Sequence, residues 1–92
     1  MTVSEICEAL GGELQCEGDK GREITGATAG DLLSFIMGTA PEGAAWVTVQ
    51  AHLNVAAVAV LKDLPLIIIA SGRKAPDDLI ERCKTENIAI LS

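Results

Sequence analysis

The sequence predicts an α/β domain of three layers, in which a mostly parallel central sheet is flanked by helices. The main observation is a succession of a β-branched run, an apolar segment of helical length and a second β-branched run: Trp46 to Gln50, His52 to Leu61 and Leu66 to Ala70. Val and Ile favour strands whereas Ala and Leu favour helices, so this succession predicts one βαβ unit. The second run is continuously apolar, which is typical of a strand buried on both faces of a parallel sheet.

The first residues predict a capped amphipathic helix, Thr2 to Leu10. Thr2 and Glu5 have the spacing of a capping box, and apolar residues recur at helical intervals on one face. The pair Gly11-Gly12 then ends the helix, because glycine adopts the left-handed C-cap conformation without steric cost. A short strand, Glu13 to Cys16, and a polar turn follow.

The next segment predicts an edge strand and a short helix. Small residues with weak alternation run from Arg22 to Ala29, as in an edge strand. Asp31 then has two interpretations. It is an N-cap that begins a short helix ended by Gly38, or its carboxylate faces a ligand. The residues from Ala40 to Gly43 have the proline and glycine positions of a tight turn.

The end of the sequence continues the alternation of helix and strand. Pro76 is predicted at the first helical position, and Leu79 and Cys83 lie on one apolar face of the last helix, which Asn87 caps. Ile88 to Leu91 predicts a third parallel strand. Residues 1–92 are therefore expected to form a single domain.

The charges are divided unevenly along the chain. Residues 1–42 hold 8 acidic and 2 basic residues, for a net charge of −6, whereas residues 43–92 hold 5 of each. The acidic half repels phosphate backbones, and Phe35 and Trp46 are the only aromatic residues on which bases could stack. We therefore expect no nucleic-acid partner.

Neither a secretory signal nor a membrane span is predicted. The N-terminus lacks the charged, apolar and small-residue regions of a signal peptide. The longest apolar region, Val55 to Ala70, is interrupted by Lys62-Asp63 and by Pro65, and neither part approaches the ~20 residues of a spanning helix. A cytoplasmic protein without a membrane partner is expected.

Three cysteines, Cys7, Cys16 and Cys83, lack Cys-x-x-Cys spacing, and the single histidine does not complete a usual zinc site with them. Reduced, mostly buried thiols are expected, because free cysteine is commonly a core residue. A redox or cluster role is the alternative. We predict no metal and no cofactor.

Size and apolarity together predict a homodimer. A chain this short buries only somewhat over ~60% of its unfolded surface, yet 49% of its residues are hydrophobic. The segment His52 to Leu61 is apolar on all faces of the predicted helix, which indicates that the helix packs against other structure on more than one face. We expect another copy of the chain to bury the second face. The dimer would form through this helix or through an edge strand such as Glu23 to Thr28.

Polar residues follow the predicted strands and would gather at one edge of the sheet. Ligands of open parallel sheets bind outside the carboxyl ends of the strands. Arg73 beside Gly72 is a candidate anion site, since guanidinium binds phosphate or carboxylate with two hydrogen bonds. The candidate ligand-binding residues are Asp31, Gln50, His52, Asn54, Gly72 and Arg73.

These candidates also have structural interpretations. His52 could be a cap or a core-edge residue, Asn54 an N-cap and Gln50 a strand-end hydrogen-bonding group, while Ser71 to Arg73 could be a solvated turn. No Gly-x-Ser-x-Gly, Walker loop or Gly-x-Gly-x-x-Gly is present, so we predict no catalytic residue and a protein that is not an enzyme. An uncharacterised small enzyme is the minor alternative.

Several segments with turns and strand ends form a recognisable pattern: Arg22 to Gly26, Gly30 to Ser34, Pro41 to Gly43, Gly72-Arg73 and, most specifically, Thr48 to Asn54. This pattern resembles the DRTGG domain over essentially the whole chain. The residues that spell the family's name occur in order as Asp19, Arg22, Thr25, Gly26 and Gly30. The family looks like the N-terminal domain of HPr kinase and, more distantly, that of Mur ligases, which implies the same α/β fold.

The resemblance implies a regulatory or assembly role. The family accompanies nucleotide-sensing CBS pairs or phosphotransacetylase, away from the catalytic domain, and small stand-alone members resemble proteins encoded beside iron-only hydrogenase genes. It assigns no catalytic residue. Two functions are therefore expected: a non-catalytic sensor of a small anionic metabolite or nucleotide at the carboxyl edge, or an interaction module for an enzyme complex such as a hydrogenase.

Overall fold

The chain folds as a five-stranded sheet with helices on both faces. A computed structural model describes residues 1–92, and the elements follow in the order α1 (Val3–Leu10), β1 (Leu14–Cys16), β2 (Gly26–Ala29), α2 (Leu33–Thr39), β3 (Ala44–Thr48), α3 (Asn54–Lys62), β4 (Leu66–Ile69), α4 (Asp77–Thr85) and β5 (Ala89–Leu91). The strands lie in the order β1-β5-β4-β3-β2, and only β1 is antiparallel to its neighbour. The predicted fold class is confirmed.

The predicted βαβ unit lies at the centre of the sheet. Strands β3 and β4 are parallel neighbours, with Trp46 opposite Ile67, and α3 connects them. Strand β3 begins and ends two residues earlier than predicted. Its first two residues, Ala44 and Ala45, have little strand propensity of their own, but both are buried and pair with β2.

The two faces of the sheet carry cores of different size. Side chains of adjacent strand residues point to opposite faces, so Trp46 and Ala45 belong to separate apolar clusters. Helices α2, α3 and α4 cover the face with Trp46, whose ring is fully buried. Helix α1 alone covers the other face, through Val3. Most of the core therefore lies beneath α2, α3 and α4.

Helix α1 forms with the predicted capping box. The Glu5 amide donates to Thr2 Oγ1 over 3.2 Å, and the Thr2 amide donates to the Glu5 carboxylate over 2.8 Å. Gly11 ends the helix in the left-handed conformation, with φ of 71°. Both predicted ends of this helix are confirmed.

The edge strand is shorter than predicted. Only Gly26–Ala29 pairs with β3, because the preceding residues pair with the start of the chain instead: the Ile24 amide donates to the Met1 carbonyl and the Val3 amide to the Arg22 carbonyl. Helix α2 passes through Gly38 and ends before Ala40, whose extended backbone is the one favoured ahead of Pro41. The prediction that Gly38 ends α2 is therefore wrong.

Two further boundaries differ from the prediction. The tight turn is closed by the Ala44 amide and the Pro41 carbonyl, one residue later than expected. Helix α4 begins at Asp77, with Pro76 at the N-cap rather than at the first helical position. None of the helices combines the length and apolar character needed to cross a membrane.

Candidate functional site

The candidate residues lie in three successive loops at one edge of the sheet. Asp31 follows β2, Gln50 and His52 follow β3, and Arg73 follows β4. Because these three parallel strands are neighbours, their carboxyl ends meet at the same edge. We refer to this region, with Asp31, Gln50, His52 and Arg73, as the carboxyl edge.

Asp31 is fixed to the end of β3 rather than to a helix. Its Oδ1 accepts hydrogen bonds from Thr48 Oγ1 and from the Val49 amide, each over 2.8 Å. The N-cap of α2 is Leu32, and no side chain caps the helix. The interpretation of Asp31 as a helix cap is therefore wrong. The Val49 amide lies just beyond the last paired residue of β3, so it needs an acceptor that β2 does not supply.

These contacts keep the Asp31 carboxyl group ionised. The hydrogen bond from the Val49 amide and then the one from the Thr48 hydroxyl lower the pKa of Asp31, and the positive charge of Arg73 adds a smaller effect in the same direction. Both protein donors reach Oδ1, so Oδ2 is left for a donor from elsewhere. The result is a fixed negative charge with one oxygen available.

Thr48 organises this edge, although it is not among the ligand-binding residues predicted from the sequence. It is the one polar residue among the buried ones, with 2% exposure. Its hydroxyl donates to Asp31 and accepts from the Gln50 amide over 3.1 Å. A threonine on the buried face of an otherwise apolar strand was the available signal, because a buried hydroxyl needs partners.

Gln50 and Trp46 hold the loop after β2 in place. Gln50 Nε2 donates to the Asp31 carbonyl over 3.3 Å, which leaves its Oε1 free. Trp46 Nε1 donates to the Gly30 carbonyl over 2.9 Å. The single tryptophan of the chain therefore touches the residue next to Asp31 and can report optically on this edge.

His52 and Asn54 are placed differently from Asp31. The Asn54 amide donates to His52 Nδ1 over 3.1 Å, so His52 has the local capping contact that was one of its interpretations, and Nε2 makes no hydrogen bond within the chain. Asn54 is the first residue of α3 and not its N-cap, which is Leu53. At the carboxyl edge Asn54 therefore contacts His52 through its backbone amide, and its side chain makes no hydrogen bond with Asp31, Gln50 or Arg73.

Arg73 is exposed and makes no ion pair within the chain. Its neighbour Lys74, in contrast, pairs with Glu13 over 3.0 Å. Gly72 has a left-handed backbone, with φ of 71°, and a Cβ added there would meet no atom within 4 Å. Gly72 is thus suited to the bend of this loop, and Arg73 provides its free positive charge.

The pockets of the molecule lie elsewhere. Cavities of about 280, 170 and 430 Å³ lie beside α1, around Arg22 and Asp63, and beside Cys16. None is lined by a candidate residue. A ligand at the carboxyl edge would therefore bind to an open surface made by three loops.

The cysteines have the burial expected of core thiols. Cys16 and Cys83 are buried and Cys7 is half-buried, and all three are free. Burial, with a smaller contribution from nearby Cys16, raises the pKa of Cys83 to about 12. Its thiol is therefore protonated at neutral pH, which makes it a poor nucleophile. Histidine, cysteine and carboxylate side chains do not gather in threes anywhere in the chain.

This chain matches no protein-family model, no curated protein and no solved structure. The resemblance to the DRTGG domain therefore stays a prediction, and the carboxyl edge is the feature of the molecule that bears on function.

Proposed function

We propose that the chain is a non-catalytic, cytoplasmic sensing module that binds a small anionic metabolite or a nucleotide at the carboxyl edge. One observation carries this proposal: an ionised, fixed Asp31 with a free oxygen stands within electrostatic reach of Arg73, which has no ion-pair partner. Opposite charges that do not pair with each other are available to a ligand.

Arg73 is the group proposed to bind the ligand's anion. Lys20, Arg22, Lys74 and Arg82 are in ion pairs with carboxylates. The remaining cations, Lys62 and Lys84, lie in the last turns of α3 and α4, which end at the opposite edge of the sheet. Guanidinium holds phosphate or carboxylate with two parallel hydrogen bonds. Arg73 is thus the available cation at this edge.

Asp31 Oδ2 is proposed to accept a hydrogen bond from a hydroxyl or amine of the same ligand. Asp31 follows β2 and Arg73 follows β4, and these two strands are separated by β3. Neighbouring strands are about 5 Å apart. A ligand that reaches both groups therefore spans about 5–10 Å. Sugar phosphates and mononucleotides have this length and carry an anionic group together with hydroxyl groups.

Titration monitored by Trp46 fluorescence tests the proposal. AMP, GMP and ribose 5-phosphate are the probes, with inorganic phosphate and ribose as fragments that supply only one of the two groups. Arg73→Gln should weaken binding by about 10- to 100-fold, the value of a hydrogen bond to a charged group. Lys74→Gln is the matched control, because Lys74 already pairs with Glu13. Absence of a fluorescence or thermal response to all probes would overturn the sensor proposal.

The module is further proposed to act as a homodimer. The sheet has five short strands, and the core beneath α1, the sole helix on one face, is small. Several large apolar side chains remain exposed on the opposite face, which carries α2 and α3. Cover by a second copy would bury them.

The alternative function is an interaction module for an enzyme subunit, such as one associated with hydrogenase. The same exposed apolar side chains favour it. The two functions are separated by one comparison. An assembly module would show no Trp46 response to any probe, and its complex with a purified enzyme subunit would survive Arg73→Gln.

A further inference from the structure

The exposed apolar side chains of this molecule are concentrated on two adjacent helices. Helices α2 and α3 pack side by side on the same face of the sheet. Of the eight large hydrophobic side chains that are exposed, five belong to these helices or to the residues that cap them: Leu32, Phe35, Met37, Leu53 and Leu61. Leu61 is 71% exposed and Leu32 67%. We call the exposed side chains of residues 32–40 and 53–61 the α2–α3 surface.

The α2–α3 surface carries no charge. Residues 32–40 and 53–61 include no Asp, Glu, Lys or Arg, although 22% of the chain is charged, and Asp31 and Lys62 flank these ranges. Charged residues are depleted at the centres of protein–protein contacts. A surface with exposed leucines and no charged residues therefore has the composition of a protein–protein interface and not that of a solvent-exposed helix face.

The charge of the rest of the molecule favours a second copy as the occupant. The chain has a net charge of −6, and α1 presents Glu5 and Glu8 to solvent. Two copies that met through α1 would bring like charges together, which is destabilising. The α2–α3 surface is neutral and meets itself without that repulsion. A two-fold contact needs such a self-compatible patch.

The shape of α3 also suits contact with an identical surface. Leu53, Ala57 and Leu61 are exposed at intervals of four residues, which places a small side chain between two large ones on one stripe. A leucine of one copy can therefore pack beside the alanine of the other, as ridges pack into grooves.

The area sets the expected strength of the contact. Helix α3 has nine residues and is about 14 Å long, and two packed helices are about 20 Å wide. A standard interface buries about 800 Å² per partner, a large share of the total accessible surface of 4765 Å². With these dimensions the footprint of the α2–α3 surface is about 300 Å². This is below the standard size, so the surface matches a weak and reversible dimer.

We propose that the α2–α3 surface is the contact between two copies of this chain in a weak, two-fold dimer. The inference rests on the homodimer of the proposed function and does not depend on a ligand. The competing contact is strand β2 at the edge of the sheet. Its residues are Gly, Ala and Thr, whose burial removes little apolar area from water.

Sedimentation velocity over a wide range of concentrations tests the proposal with Ala57→Arg. Ala57 is exposed in the middle of α3, and arginine is a good helix former, so the change adds a charge to the surface without removing a core contact. Ala9→Arg, at an exposed alanine of α1, is the matched control. We expect the wild type and Ala9→Arg to dimerise alike, and Ala57→Arg to associate at least about tenfold more weakly.

The other outcomes separate the possible failures. A wild type that is monomeric at all concentrations overturns the homodimer and the surface together. A dimer that persists in Ala57→Arg overturns the surface alone. Its loss in Ala27→Lys, which adds a charge to the exposed edge strand and keeps the backbone amide, would assign the contact to β2. NMR spectra of the wild type at decreasing concentration test the same surface without any substitution. On dilution, backbone amide resonances of α2 and α3 should shift, and a response confined to other elements would contradict the proposal.

Discussion

Thr48 and Asp31 form the hydrogen bond that joins the end of β3 to the loop after β2, with Thr48 Oγ1 donating to Asp31 Oδ1 over 2.8 Å. The two residues are 17 positions apart in the chain. Their bond, with that from the Val49 amide, fixes a charged carboxylate at the carboxyl edge, within electrostatic reach of Arg73. The proposed ligand site depends on this arrangement.

Thr48→Val should destabilise the fold and loosen the carboxyl edge. Valine has nearly the shape of threonine but cannot donate to Asp31 or accept from the Gln50 amide. We expect a loss of about 1–2 kcal/mol in the free energy of unfolding, because a polar partner is left unsatisfied. Denaturation monitored by Trp46 fluorescence measures it. Thr28→Val, at a threonine of β2 without a side-chain hydrogen bond, should change stability by less than about 0.5 kcal/mol; equal effects of the two substitutions would contradict this account.

Asp31→Asn should reveal the charge of Asp31 through the pH dependence of stability. The pKa of Asp31 in the folded chain lies below its ordinary value of 3.8. The charge therefore stabilises the fold at pH values above 3.8, and this stabilisation is lost as the pH falls through the folded pKa. The asparagine variant should be less stable than the wild type at neutral pH, and the difference should shrink in acid. A difference that is constant across this range would show that Asp31 has no lowered pKa.

The ion pair between Arg22 and Asp63 should contribute little to stability. Arg22 Nη2 and Nη1 donate to the two Asp63 oxygens over 2.7 and 3.3 Å, and Arg22 lowers the pKa of Asp63. Both side chains are partly exposed, and Asp63 is the C-cap of α3, where negative charge is unfavourable. A double-mutant cycle of Arg22→Gln and Asp63→Asn should give a coupling of about 0.5 kcal/mol that falls with added salt. A coupling above about 2 kcal/mol would be inconsistent with a solvated pair.

Replacement of two glycines by alanine should change the stability of the fold in opposite directions. Gly38 lies inside α2, and an added Cβ meets no atom within 4 Å, so Gly38→Ala should stabilise the fold by about 0.5–1 kcal/mol. Gly43 has φ of 83°, and its Cβ would lie 2.6 Å from Thr25 Oγ1, which donates to the Glu42 carbonyl. Gly43→Ala should therefore destabilise by at least about 1 kcal/mol. Thermal unfolding of both variants provides the check, and effects of the same sign would refute the packing described around them.

Elements with a local signal could be predicted from the sequence. The capping box of Thr2 and Glu5 needs only residues of one helical turn, and the β-branched run of β4 needs no partner to favour a strand. Strand β1 was predicted as an element, but its position was not. It pairs antiparallel with β5, continued by the hydrogen bonds between Glu13 and Ser92 near the two ends of the chain. No local pattern specifies a pairing over that separation.

The candidate site was predictable in its location and not in its contacts. The rule for parallel sheets places Asp31, Gln50 and Arg73 at one edge, and the topology does so. The role of Asp31 was decided by competition between a local helix cap and a distant amide and hydroxyl on β3, and the distant donors won. At Asn54 a local contact decided the outcome instead. The turn at His52 makes Leu53 the N-cap of α3, so Asn54 is the first helical residue and not the cap.

Native mass spectrometry of protein purified from cells without added ligand tests the central claim, ligand binding at the carboxyl edge, most directly. The wild type and the Lys74→Gln control should carry the same defined extra mass, and Arg73→Gln should lose it. An extra mass that Arg73→Gln retains would place the ligand elsewhere on the molecule. A wild type without any extra mass, together with an unresponsive Trp46, would contradict the sensing function itself.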